Sequence, residues 1–370
     1  MPFILRHALR TATLGLALGL MASCSAPTTT TQETPTNATS PVVATDAPKV
    51  VATTTVLCDM VRQIAQETVN LTCLLKPGVD GHVYQPVPED RKAIENAQLI
   101  LYSGYDFEPG LIKLIQSTSN PAPKIAVAEQ AVPQPLMGHE HGDAHPEEAH
   151  AEADHDHDHD HAAEKEAQSG GKSAEGADTP DPHVWQNAAN GAKMAGVVQA
   201  ALIKLAPENK ERYNTNGAAL AAELEAIHAW IKSQIATIPT TARKIVTTHD
   251  AMKYYAAAYN IPVEGALQGI STNEKPTATQ VKALVDEVNA SRVPTIFAEV
   301  VVNPKLIEAV ARDARVKVAD RELYSDSLGE PGSEGETYPK MLIANTRTIV
   351  EGLNGRYLAF QSKQGKDQSL

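Results

Sequence analysis

From Lys49 onward, short runs of aliphatic and β-branched residues alternate with stretches of helical spacing. Residues 50–57 read as a strand, 59–67 as a helix and 71–75 as a second strand. Residues 88–96 follow as a helix with proline in its first turn, then strands at 99–103 and 124–128. This βαβα rhythm predicts a parallel sheet with helices on its faces. A second series runs through 244–248, 252–259, 261–264, 277–289, 293–299, 304–314 and 316–318, and ends in a helix over 338–353. Asn303-Pro304 is a good helix start, a capping side chain followed by proline at the first helical position.

Between the two series Leu220, Leu224, Ile227, Ile231 and Ile235 recur at helical spacing, and Pro239 closes the run. The expected architecture is therefore α/β: two parallel-sheet lobes, 49–207 and 240–358, joined by one long helix over 208–239. A break is expected near Gly217. His228 borders the apolar stripe and reads as a half-buried helix residue.

Two segments lack any apolar periodicity. Residues 25–48 are rich in Thr, Pro, Ala and Ser and read as a tether. Residues 138–180 are polar and acidic and read as a disordered loop inside the first lobe; a tail follows 358. Ahead of the tether, Arg6 and Arg10 precede an apolar run over 11–20. The run is too short to span a membrane and is built like a secretory signal. Met21-Ala22-Ser23-Cys24 is similar to a bacterial lipobox, which makes Cys24 the expected lipidation site and the mature protein extracytoplasmic or periplasmic. Cys58 and Cys73 are then the remaining cysteines, either paired in an oxidising compartment or left as two buried thiols.

The net charge is −13, and ten of those charges fall within residues 139–166, where eleven carboxylates face one lysine. The rest of the chain is nearly neutral. Nothing in it forms the basic stripe that phosphate recognition needs, which argues against a nucleic-acid partner.

Four loop motifs carry candidate metal chemistry. They are Asp80-Gly81-His82-Val83-Tyr84, Asp181-Pro182-His183-Val184-Trp185, Thr248-His249-Asp250-Ala251 and Ser325-Asp326-Ser327. Three of them follow strands, and open parallel sheets bind ligands beyond the carboxyl ends of their strands. Three imidazoles and one carboxylate suit zinc, with manganese the alternative.

These stretches, with Gly269-Ile270-Ser271-Thr272, Glu274-Lys275-Pro276-Thr277 and Ile296-Phe297-Ala298-Glu299, resemble the zinc/manganese solute-binding protein family over most of residues 49–353. Members are extracytoplasmic receptors of metal ABC importers, with two α/β lobes, one linking helix and metal in the cleft. The resemblance implies His82, His183, His249 and Asp326 as ligands, a divalent metal ion as cargo, an importer permease as partner and a monomer. Gly81 stands where the family often has proline. Manganese-type members often carry glutamate at the third position, so His249 points to zinc. Asp326 is open between direct coordination and lining the cleft. Glu299 is the leading candidate to accept a hydrogen bond from a ligand imidazole; Asp250, Tyr84 and Trp185 read as structural.

A zinc hydrolase could use a similar donor set. Catalytic zinc keeps a position for water beside a general base, however, and no His-Glu-x-x-His or nucleophile motif is present. The expectation is a binding protein, not an enzyme. A metal-buffering surface lipoprotein or adhesin is the other rival.

Eight further histidines crowd the acidic segment: His139, His141, His145, His150, His155, His157, His159 and His161. Neutral imidazoles alternating with carboxylates make weak metal sites, because an unstructured chain loses entropy on binding. Deleting residues 138–171 is expected to leave one tight site and remove several weak ones. Unchanged stoichiometry in a metal titration counts against this reading.

Overall fold

The computed structural model describes residues 47–138, 179–273 and 275–361. The expectations for the leader, Cys24, nearly all of the tether, the eight clustered histidines and most of the tail lie outside the described residues.

The first half contains β1 (Lys49–Ala52), α1 (Thr55–Ala65), β2 (Asn70–Cys73), α2 (Pro88–Asn96), β3 (Leu99–Tyr102) and α3 (Pro109–Ser117). It continues with β4 (Lys124–Ala126), α4 (Val127–Ala131), β5 (Met137–Gly138), β6 (Thr179–Pro180) and α5 (Ala188–Leu205). After α6 (Lys210–Ile235) come β7 (Ile245–His249), α7 (Lys253–Tyr259), β8 (Val263–Gln268), α8 (Ala278–Ser291), β9 (Thr295–Ile296), α9 (Pro304–Ala314), β10 (Lys317–Val318) and α10 (Tyr338–Gly352). Among the described residues no helix is long and apolar enough to cross a membrane.

The first sheet is parallel with strand order β2-β1-β3-β4. In the second half β7 pairs with β8 and β9 with β10, again in parallel. A bond from the Phe297 N–H to the Val246 carbonyl, 2.9 Å, carries β7 across to β9. The resulting order, β8-β7-β9-β10, repeats that of the first sheet. Each lobe thus presents the carboxyl ends of two central parallel strands, where connecting loops gather.

Several local readings are corrected. The apolar run at 50–57 is a strand only to Ala52. Thr54 caps α1 by accepting the Leu57 N–H at 3.2 Å, so the helix starts at Thr55. The strand expected over 293–299 contracts to β9. The ends of the segment read as a loop over 138–180 are ordered, since Gly138 pairs with Thr179, and Met137 with Pro180, in an antiparallel ladder. Helices α3 and α5 lie outside the sequence-based expectations; the buried face of α5 mixes Met194, Val198 and Leu202 with Ala188, Gly191, Ala195 and Ala201, which blurs its apolar stripe. Helix α6 runs through Gly217 without a break. The position faces α5, where an added Cβ would meet the flexible Gln199 side chain.

Cys58 in α1 and Cys73 in β2 form a disulfide, with their Cα atoms 5.9 Å apart. It fastens the first helix to the edge strand whose following loop carries His82.

One large buried cluster joins α1, α5, α6, α7 and α10, and smaller clusters lie under α2/α3 and α8/α9. Tyr338 pins the central layer. Its N–H donates to Asp59 at 2.8 Å and its hydroxyl to the Trp185 carbonyl at 2.6 Å. A Cβ added to Gly191 of α5 would lie 2.1 Å from that hydroxyl and under 3 Å from the ring. Helix propensity alone makes Gly191→Ala a gain of about 1 kcal/mol, whereas overpacking a fixed ring costs about 1–3 kcal/mol or more. Denaturant unfolding is expected to show net destabilisation by Gly191→Ala; a more stable variant contradicts the packing argument.

Candidate metal centre

Each candidate donor is set by a distinct piece of backbone. His82 lies in the loop after β2, where the Asp80 carboxylate accepts the His82 N–H at 2.9 Å. His183 follows the β5–β6 ladder and precedes a single 3-10 turn, and Asp181 accepts its N–H, also at 2.9 Å. Such Asp turns tie a side chain to backbone two residues on. His249 is the last residue of β7. Asp326 lies beyond β10, in a loop held by Trp185 and Gln186, whose side chains donate to the Ser325 carbonyl at 2.9 and 2.6 Å.

The structure brings these four side chains together, with one donor atom from each lying within 4.8 Å of the others. The Nε2 atoms of His82 and His183 are 3.3 Å apart. Asp326 approaches all three rings, at 3.7 Å from His82, 3.3 Å from His183 and 3.2 Å from His249. The side chains of His183, His249 and Asp326 are sealed from solvent, whereas that of His82 keeps 4% of its surface and lines an open cavity of about 760 Å³. Tyr105, Asp106, Glu129, Pro182 and Ser271 form part of the same wall.

Two imidazoles are aimed by carboxylates behind them. His183 Nδ1 contacts Asp181 at 2.8 Å, and His249 Nδ1 contacts Glu299 at 2.5 Å. Glu299 is fully buried, and its other oxygen accepts the backbone N–H groups of Thr248 and His249, each at 2.8 Å. This leaves Nε2 of both rings facing the centre, as expected where a carboxylate orients a metal-binding histidine. Phe107 packs edge-on against His82, with ring centroids 4.8 Å apart. Its loop passes through left-handed backbone at Gly104, Tyr105 and Asp106, a strained conformation of the kind that functional sites retain.

The electrostatics are lopsided. Burial pushes His82 down to about 3, so its ring is neutral. Burial also opposes charge on His183, but Asp181 and Asp326 outweigh it and raise the ring to about 9. His249 is likewise raised well above its ordinary value, because Glu299 and Asp326 overcome burial. Burial works against the Asp326 carboxylate, yet His249 and His183 hold it well below the usual carboxylate range. Both Asp326 oxygens and His249 Nε2 are buried and have no hydrogen-bond partner beyond these ion-pair approaches. Unsatisfied buried donors and acceptors converging on one point fit a cation.

Residues 50–352 match the family described as zinc-uptake complex component A, periplasmic (ZnuA). The chain belongs to this family. It is 30% identical over 311 residues to the metal ABC transporter substrate-binding lipoprotein ScbA of Streptococcus cristatus, covering 82% of this chain and 88% of that one. It is also 30% identical to the manganese ABC transporter substrate-binding lipoprotein scaA of Streptococcus gordonii, over 310 residues and with the same coverages. The periplasmic zinc binding protein TroA of Treponema pallidum has a similar structure, with a TM-score of 0.69 and 29% identity over 84% of this chain and 100% of that one. The fold is thus TroA-like, and the family consists of receptors for metal ABC transporters.

Other candidates are placed away from the centre. Asp250 pairs with Lys253 at 2.7 Å, and the Tyr84 hydroxyl donates to Asp90 at 2.9 Å near the start of α2. His228 meets the Tyr259 hydroxyl at 3.3 Å between helices. Asp80, Asp181 and Phe107 were not anticipated. The repeated Asp-x-His spacing at 80/82 and 181/183 is the signal that marks the first two.

In the metal-free centre His183 and His249 carry protons near neutrality, and a metal ion must displace them. Binding is expected to release about one to two protons at pH 7, and affinity to rise from pH 6 to 8 as that competition eases. Calorimetry in buffers of different ionisation heat measures this directly; absence of proton release contradicts the electrostatics.

Proposed function

We propose that the chain is a zinc-binding extracytoplasmic receptor that delivers its ion to an ABC importer, with His82, His183, His249 and Asp326 as the four ligands. The observation that carries this reading is their convergence through three Nε2 atoms and a carboxylate without hydrogen bonds. Zinc accepts four protein donors in tetrahedral geometry and favours imidazole, whereas manganese favours oxygen donors and higher coordination. A donor set with three nitrogens therefore favours zinc. Asp326 coordinates directly in this reading, since its two buried oxygens face the same three rings and an ion held by those rings lies within their reach.

Manganese is the second reading. A relative at 30% identity bears a manganese name, and the two Asp326 oxygens could supply an extra bond to a harder ion. The remaining parts of the proposal are acylation at Cys24 as the membrane anchor, a transporter permease as the docking partner, a single-chain receptor without catalytic activity, and a supply of weakly held metal from the acidic histidine segment.

Competition titration of the metal-free protein is expected to show zinc bound more tightly than manganese, with His249→Ala losing at least about tenfold in zinc affinity. The reverse order of metals sinks the zinc assignment, and full affinity in His249→Ala sinks the site.

A further inference from the structure

Two Asp-x-His turns carry imidazoles to the centre, and their local build is the same. In each, Asp Oδ1 accepts the histidine N–H two residues on at 2.9 Å. They differ in what else the carboxylate does. Asp181 uses that same oxygen to contact its own histidine ring. Asp80 instead presents Oδ2 to the opposite lobe, where it accepts the Thr272 hydroxyl at 2.5 Å. Thr272 lies on the loop after β8, and its neighbours Ser271 and Asn273 line the open cavity together with His82. The bond therefore ties the two walls of that cavity to each other.

We propose that the Asp80–Thr272 contact is a clasp that sets how long a metal ion stays in the cleft. The two are positioning residues, which hold the His82 loop against the donors of the facing lobe; this rests on the receptor reading above. His82 is the donor bordering the cavity, so an ion leaving by that side passes it first. The same loop has a second, weaker cross-cleft tether at its start, where the Gly78 N–H donates to the neutral Ser327 hydroxyl at 2.9 Å. A hydroxyl donating to a carboxylate is a charge-assisted bond. Its loss shortens the lifetime of the closed arrangement without removing any donor from the ion.

The test is release of zinc from the full chain, loaded with less than one ion per molecule so that the tightest site is filled, into excess chromophoric chelator. Thr272→Val removes the hydroxyl at nearly constant volume. It is expected to speed release about tenfold while the association rate stays within about twofold of wild type. Thr272→Ser, which restores the donor, is expected to return release to the wild-type rate. Wild-type release from Thr272→Val, or Thr272→Ser behaving like Thr272→Val, overturns the clasp. A wild-type chain that retains no zinc overturns the receptor reading instead, a result visible before any variant is compared.

Discussion

The structure turns on one buried carboxylate. Asp326 is 3% exposed, and neither of its oxygens has a hydrogen-bond partner, although three imidazoles surround it. Stranding such a charge by removing one partner costs on the order of 3–5 kcal/mol, so the arrangement persists only where positive charge faces it. In the metal-free protein the protonated His183 and His249 supply that charge. A divalent cation supplies it in a form that also satisfies the third ring. Proton and metal thus compete for the same negative centre.

The fold meets this demand by precision at a distance. Neither sheet contributes side chains from its middle; His249 ends β7, and His82 and Asp326 lie in loops beyond strands. What holds those positions is the helical layer, where Tyr338 links α10 to Asp59 in α1 and to the backbone of Trp185, two residues after His183. The disulfide fixes the strand that launches the His82 loop. Carboxylates at Asp181 and Glu299 then set ring orientation, so Nε2 faces the centre without relying on chance rotamers.

The broad architecture and the four central residues were legible because both depend on local pattern. Apolar runs alternate with helical spacing, and each donor sits in a short polar motif beside a strand. The details that escaped depend on tertiary context. The run through Thr53, Thr54 and Thr55 looks like continuing strand, and the Thr54 cap that turns it into α1 becomes evident only in the folded geometry. Gly217 resembles a helix break until α5 is seen against it. Helix α5 has a blurred stripe because its buried face mixes Met194, Val198 and Leu202 with Gly191, Ala195 and Ala201. The carboxylate behind His249 lies fifty residues away in sequence, and Glu299 was legible through the motif it closes, not through spacing. Asp80 and Asp181 stand two residues from their histidines and could have been read from that spacing.

The two sheets repeat one strand order, and each lobe brings two of the four central side chains. Neither lobe therefore encloses a complete donor set, and the grip on an ion depends on the separation between them. If the four side chains hold an ion as proposed, moving the lobes apart by a fraction of a bond length takes two of its four donors away, with no need for acid or a competing chelator. In that reading a docking partner that levers the lobes apart unloads the ion mechanically, turning the energy of docking into release.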